Sequence, residues 1–130
     1  MNMIFKIWDS EQNLWLHEIG ADIYLLDTGR VLAGDFNSKE IVEIKQAVLV
    51  NNTGVTDNKG DYIFNGDIIQ YDSPSKKHQY KHLVTYEDGR YEYWKSDGMI
   101  FCQLNMNYKR GMKIIGNKFE NPELLDQLTI

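Results

Sequence analysis

With 130 residues, 42% of them hydrophobic and 25% charged, and with only two prolines, the chain has the composition of a globular domain rather than of a disordered segment. Its nineteen acidic and fourteen basic residues give a net charge of −5, which repels polyanions and restricts any nucleic-acid contact to a local basic patch. The sequence shows no secretory signal and no apolar run long enough to span a membrane, and its single cysteine, Cys102, excludes an intrachain disulfide. We therefore expect one cytoplasmic domain over residues 1–130, without membrane contact.

Closely spaced turn signals divide the chain into many short segments, a pattern typical of a β-rich sandwich or barrel. A first hairpin is expected around Asp9–Asn13. In residues 38–45 the apolar positions fit both helical and strand spacing, and we favour a short helix with Ser38 as its N-cap. The strands are predicted near 3–8, 14–18, 22–26, 30–33, 47–51, 67–71, 81–87, 90–95, 99–104 and 112–116.

The hairpin near residues 81–95 has a register that can be read from the sequence. A type I′ turn at Asp88–Gly89 would fix the facing residues by counting outward from the turn. The predicted facing pairs are Glu87 with Arg90, Tyr86 with Tyr91, Val84 with Tyr93 and Leu83 with Trp94. Towards the C-terminus, Asn121 as N-cap and Pro122 at the first helical position predict a short helix with a leucine stripe.

The stretch Thr53–Asp72 places several acidic residues among glycines. Its segment 57–61 resembles the start of a calcium loop, but Lys59 occupies a ligand position and Ile68 stands where the closing Glu should be. We therefore interpret the acids and glycines as turn residues, with a short strand at 61–64 between two turns. If the chain were an unrecognised enzyme, the first suspects would be Asp57, Asp61 and Asp67.

The sequence predicts neither a metal ligand set nor a nucleophilic site. His78 and His82 are four residues apart, but they lie in a loop that enters a predicted strand, and no third ligand accompanies them. The sequence contains no GxSxG elbow and no phosphate-binding loop, and Cys102 has no identifiable base partner. We expect no catalytic residues, no metal and no cofactor.

A basic segment beside the 81–95 hairpin suggests one alternative function. A basic rim next to aromatic faces can hold single-stranded nucleic acid through phosphate contacts and base stacking. The aromatic residues would equally suit a protein interface, or could be half-buried cross-strand pairs beside a solvated loop. The candidate contact residues for nucleic acid or for a protein partner are Lys76, Lys77, His78, Lys81, Tyr91, Tyr93 and Trp94.

Two segments together resemble one family. "TGVTDNKGDYIFNGDIIQY", followed later by "KIIGNKFENPELL", resembles the paired motifs of the YopX-like proteins of phages and prophages, and the opening "MIFKIWDSEQNLW" is similar to the start of that family. The resemblance spans Met3 to Leu125. It implies a phage-derived accessory protein of unknown biochemical role, an oligomer without established cofactor or catalytic residues. The motif residues expected to shape turns are Gly54, Asp57, Asn58, Gly60, Gly66, Asp67, Gly116, Asn117, Asn121 and Pro122.

These observations predict a mostly β fold, a small SH3-like or open β-barrel with a decorated N-terminal part and short helices, including one at the C-terminus. The function that we expect is that of a non-enzymatic, self-associating interaction module, a homo-oligomer with a host or phage protein as a further partner. A nucleic-acid-binding module is the alternative, and an unrecognised enzyme is the third candidate.

Overall fold

The computed structural model describes residues 3–35, 40–72, 75–87, 90–94, 101–103 and 112–128, and within these it describes only the backbone of residues 86, 87, 90–94 and 101–103. The chain forms two compact units, Met1–Val50 and Asn51–Ile130. The fold is mostly β with a curled half-barrel sheet, which confirms the predicted fold class. The predicted turn at Asp88–Gly89 lies outside the described residues.

The first unit begins with the predicted hairpin. Strand β1 (Phe5–Asp9) pairs antiparallel with β2 (Leu14–Trp15), and Trp8 lies opposite Trp15. The Oδ1 atom of the buried Asp9 accepts a hydrogen bond from the Glu11 N–H at 3.0 Å, which stabilises the turn. Strand β2 is shorter than the predicted 14–18, because Leu16–Ile19 forms a 3-10 helix that buries Leu16.

A three-stranded sheet follows, with strand order β3-β4-β5. Its strands are β3 (Asp22–Leu25), β4 (Val31–Asp35) and β5 (Glu40–Glu43). The predicted helix over 38–45 is therefore wrong for residues 40–43, while Ser38 lies outside the described residues. The apolar positions of this segment fit both a helix and a strand, and the segment forms a strand because pairing with β4 supplies its backbone hydrogen bonds. The core of the first unit consists of Ile7, Leu16, Val31 and Ala33.

Strand β6 (Ala47–Thr56) continues from the first unit into the second, where it pairs with β7 (Tyr62–Phe64). A five-stranded sheet in the order β11-β10-β9-β8-β12 completes the second unit. Its strands are β8 (Asp67–Asp72), β9 (Gln79–Glu87), β10 (Arg90–Trp94), β11 (Phe101–Gln103) and β12 (Lys113–Asn117). The core of the second unit contains Ile63, Ile69, Tyr71, Val84 and Met112.

The backbone register of β9 and β10 is the one that the sequence predicts. Glu87 pairs with Arg90, Tyr86 with Tyr91 and Val84 with Tyr93. Towards the C-terminus, Pro122–Gln127 forms a 3-10 helix with Pro122 at its start, as predicted. Asn121 precedes the helix but does not cap it with its side chain. In the described part of the chain no helix is long and apolar enough to cross a membrane.

Candidate functional site

The two motif segments identified in the sequence meet in the second unit, and Asp57 is the centre of their contact. Its Oδ1 accepts hydrogen bonds from the N–H of Lys59 at 2.9 Å and of Asp61 at 3.0 Å, within its own turn. Its Oδ2 accepts a third, from the Ile114 N–H of β12 at 3.3 Å. The neighbouring Asn58 N–H donates to the Met112 carbonyl at 2.8 Å. The carboxylate thus joins a turn to a strand that lies more than fifty residues later in the chain.

Asp67 and Gly66 make a second connection between the motifs. The buried Asp67 accepts a hydrogen bond from the Phe64 N–H at 2.7 Å and lies opposite Asn117 in the β8–β12 pair. Gly66 has φ +90°, and a Cβ atom built on it would lie 2.9 Å from the Phe119 ring. Only glycine satisfies both the positive φ and this close approach. Gly66 also accepts a hydrogen bond from the Lys118 N–H at 2.9 Å.

The closing motif folds onto itself through two asparagines. The Asn117 side-chain oxygen accepts hydrogen bonds from the N–H of Phe119 at 3.0 Å and of Glu120 at 2.8 Å. The Asn121 Oδ1 accepts one from the Asn117 N–H at 3.2 Å. A Cβ atom on Gly116 would lie 2.5 Å from the Asn121 Oδ1. Asn121 therefore holds the segment before the 3-10 helix rather than the helix end itself.

The remaining turn residues also act on the backbone. Gly54 and Gly60 have φ +81° and +86°, which non-glycine residues adopt only with strain. The Gly54 N–H donates to the Asn52 side chain at 2.8 Å, and the Gly60 N–H donates to the Asp57 carbonyl at 3.1 Å. Within the described ranges, no three His, Cys, Asp or Glu side chains are arranged to hold a metal ion.

The structure places the candidate contact residues of the basic segment in three settings. Lys76, Lys77 and His78 are exposed in the loop before β9, where Lys76 has φ +59°. Lys81 is half-buried on β9 and donates to the Gln127 side chain at 2.9 Å. Tyr91, Tyr93 and Trp94 lie on β10, and their side chains are outside the described part of the structure.

Lys113, which no local sequence pattern singles out, belongs with this group. Lys113 of β12 lies opposite Gln70 of β8, and Gln70 lies opposite Lys81 of β9. Residues directly opposite each other in a sheet share a face, so Lys81 and Lys113 occupy one row on the same face. The sequence separation of 32 residues hides this row, because only the strand order brings it together.

His82, which the sequence places near the basic segment and which is four residues from His78, lies in the interior of the second unit. Its side chain is 1% exposed, stacks at 5.5 Å on Tyr71 and shares a hydrogen bond of 3.2 Å with the Tyr71 hydroxyl. Burial lowers the pKa of His82 to about 4, so the imidazole is neutral at pH 7. The alternation of Tyr80, His82 and Val84 along β9 was the signal that could have shown this burial.

The described parts of the two units differ in their exposed apolar side chains. Of the eight large hydrophobic residues that are exposed in the described part of the chain, seven belong to the first unit. They are Ile4, Ile19, Leu25, Leu26, Ile41, Val42 and Leu49, whereas Leu125 belongs to the second unit.

The first unit also contains an exposed ion pair. The Arg30 guanidinium donates to both Glu43 carboxylate oxygens at 3.0 Å, which lowers the pKa of Glu43.

Comparison with known proteins agrees with this architecture. The family model described as YopX protein matches residues 4–126. The structure is similar to the crystal structure of protein EF1440 from Enterococcus faecalis, with 32% identity, coverage of 93% of this chain and 96% of that chain, and a TM-score of 0.61. It is also similar to the X-ray structure of YopX from Bacillus subtilis, with 21% identity, coverage of 95% and 98%, and a TM-score of 0.71. The comparison with curated proteins finds no match. Since the family model covers nearly the whole sequence, the chain belongs to the YopX family.

Proposed function

We propose that this chain is a non-enzymatic interaction module that associates with itself. It would act as a phage-derived accessory protein in the cytoplasm of a bacterial host, with a host or phage protein as a further partner. The observation that carries the proposal is that, among the residues whose side chains the structure describes, seven of the eight exposed large hydrophobic ones lie in the first unit. Single exposed apolar residues are ordinary on a monomer, whereas a contiguous group of them is typical of an interaction surface, and the proposed surface would include several of these residues.

The environments of the acidic residues support the non-enzymatic part of the proposal. Of the three first suspects for catalysis, Asp61 is exposed, and the carboxylates of Asp57 and Asp67 accept hydrogen bonds from backbone amides. The side chains of Asp57 and Asp67 are also buried. A carboxylate used in this way shapes the backbone, and it is poorly placed to exchange a proton with a substrate.

Light scattering after size-exclusion chromatography tests self-association. We expect a mass that is a multiple of 15.2 kDa and that rises with protein concentration. Added salt should strengthen the association, because it screens the repulsion between copies of net charge −5 while apolar contacts persist. A mass of 15.2 kDa at every concentration and salt level would refute self-association.

Variants locate the surface. Ile19→Lys combined with Leu25→Lys should reduce the mass towards the monomer, because both side chains are exposed on the first unit. Leu125→Lys makes the same chemical change at an exposed position of the second unit and should leave the mass unchanged. Equal effects of the two changes would contradict the assignment of the surface to the first unit.

A nucleic-acid-binding module is the second candidate, supported by the exposed Lys76 and Lys77 and by the row that joins Lys81 and Lys113. Binding of a labelled single-stranded DNA, measured by fluorescence anisotropy, should then fall steeply with salt. Lys76→Glu with Lys77→Glu should abolish it. The control, Lys45→Glu with Lys59→Glu, reverses the same number of exposed charges elsewhere. Absence of binding at low salt would end this candidate.

A further inference from the structure

Strand β5 lies at one end of the three-stranded sheet of the first unit, and all four of its residues are exposed. Its two central residues are β-branched and apolar, with 43% exposure at Ile41 and 61% at Val42. Folded proteins usually cover, shorten or charge such an edge, because its backbone groups can pair with a further strand. β5 has two of these protections, because it spans four residues and carries a glutamate at each end, but its apolar centre leaves it able to add an extended chain that matches its charge.

The hydrogen-bond pattern shows which backbone groups of β5 point away from the sheet. The Ile44 N–H donates to the Val31 carbonyl at 2.8 Å, so Val31 and Ile44 form a hydrogen-bonded pair. Since such pairs alternate along an antiparallel ladder, Val42 with Ala33 is the next one, and Ile41 with Gly34 is a non-bonded pair. The backbone N–H and C=O groups of Ile41 and Glu43 consequently point outward, where an added strand would meet them.

The approach of β4 and β5 agrees with this assignment. A Cβ atom on Gly34 would overlap the Glu40 carbonyl oxygen and lie 2.8 Å from the Ile41 Cα atom. Residues of a non-bonded pair have the closer Cα atoms of the two kinds of pair in an antiparallel ladder. The glycine thus permits the close pair that turns the Ile41 backbone towards the edge.

Charge indicates which partner fits the edge. The first unit contains eight acidic and four basic residues, a net −4 of the chain's −5. On β5, Glu43 already pairs with Arg30, and Glu40 carries the second carboxylate. A second copy of β5 would bring a second Glu40 to the same short ladder. A basic chain would instead be attracted to this unit.

We propose that the outer edge of β5 binds an extended basic segment of another protein, which adds as a fourth strand through the backbone groups of Ile41 and Glu43. This deepens the proposed function by naming the class of partner, and it does not depend on self-association. Apolar side chains of the partner would pack beside Ile41 and Val42. Its lysine or arginine residues would lie near Glu40.

Amide hydrogen exchange tests the proposal on the full chain. The probe is an eight-residue peptide of alternating lysine and valine, and the control peptide replaces each lysine with glutamate. With the basic peptide, exchange should slow at least about tenfold at Ile41 and Glu43. Exchange at Val42 and Ile44 should change little, because their N–H groups already face β4. The acidic peptide should slow none of the four.

A charge variant tests the contribution of side-chain charge separately from that of the backbone hydrogen bonds. Glu40→Lys should weaken binding of the basic peptide roughly fivefold, whereas Glu123→Lys, the same change at an exposed position of the second unit, should not weaken it. The proposal would be overturned if the basic peptide did not slow amide exchange, or if it slowed exchange equally at all four amides. It would also be overturned if both peptides slowed exchange equally. If exchange at Ile41 and Glu43 became slower with rising protein concentration in the absence of peptide, the edge would bind a second copy, and the proposal would likewise be overturned. Light scattering on the same samples reports self-association separately.

Discussion

Replacing Asp57 by alanine removes the acceptor of three backbone N–H groups at once, those of Lys59, Asp61 and Ile114. Hydrogen bonds to a charged group contribute about 1.5–3 kcal/mol each, but water can replace the carboxylate at the exposed amides of the turn. We therefore expect Asp57→Ala to lower the free energy of unfolding by about 2–4 kcal/mol. This is a large part of the ~5–15 kcal/mol that stabilises a typical domain.

The assay is urea unfolding followed through the amide signals of β8 and β9, which report on the second unit. Asp61→Ala is the matched control, because it removes an exposed carboxylate from the same turn and should change stability by less than about 0.5 kcal/mol. Asp57→Asn keeps one oxygen acceptor, so its loss in free energy of unfolding should lie between those of Asp57→Ala and Asp61→Ala. If Asp57→Ala were no more destabilising than Asp61→Ala, the carboxylate would not hold the motifs together and the reasoning would be refuted.

Three further predictions concern packing and pH. Because the pKa of His82 is about 4 in the folded chain and near 6.5 when unfolded, the unfolded state binds more protons between these pH values. The free energy of unfolding should therefore be unaffected by His82 above pH 6.5 and should fall, by less than about 1.4 kcal/mol per pH unit, as the pH is lowered to 4. His82→Gln should flatten this pH dependence in urea titrations. Gly66→Ala should cost about 1–3 kcal/mol more than Gly60→Ala, because both have positive φ but only Gly66 would place its Cβ against Phe119; equal losses of thermal stability would contradict this contact. Gly34→Ala should detach β5 and accelerate hydrogen exchange of the Val42 amide, and unchanged exchange would show that the two strands need no close approach there.

Local chemistry was sufficient to predict most strands. Turn residues interrupt the chain at short intervals, and the hairpin of β9 and β10 has the register obtained by counting outward from Asp88–Gly89. The hairpin of β1 and β2 likewise follows from Asp9 and Asn13, whose positions suit a turn. In these cases the residues that decide the structure are neighbours in the sequence.

Pairing between distant segments decides the features that local sequence patterns do not predict. Residues 40–43 form a strand because β4 lies beside them, although their apolar spacing also fits a helix. The contact of Asp57 with Ile114 and the row of Lys81 and Lys113 depend on the strand order, which no local pattern encodes. His82 lies within the predicted strand 81–87, but which face of that strand is buried depends on the packing of the sheet, and the structure turns His82 into the core.

The central claim is that the first unit of this YopX-family chain carries the interaction surface. Amide NMR spectra recorded from low to high protein concentration test it most directly, because each signal reports on one residue. The account predicts concentration-dependent shifts and broadening at the amides of Ile19, Leu25 and their neighbours in the first unit, and little change in β8, β9 and β12. Spectra that do not change with concentration, or changes confined to the second unit, would contradict it.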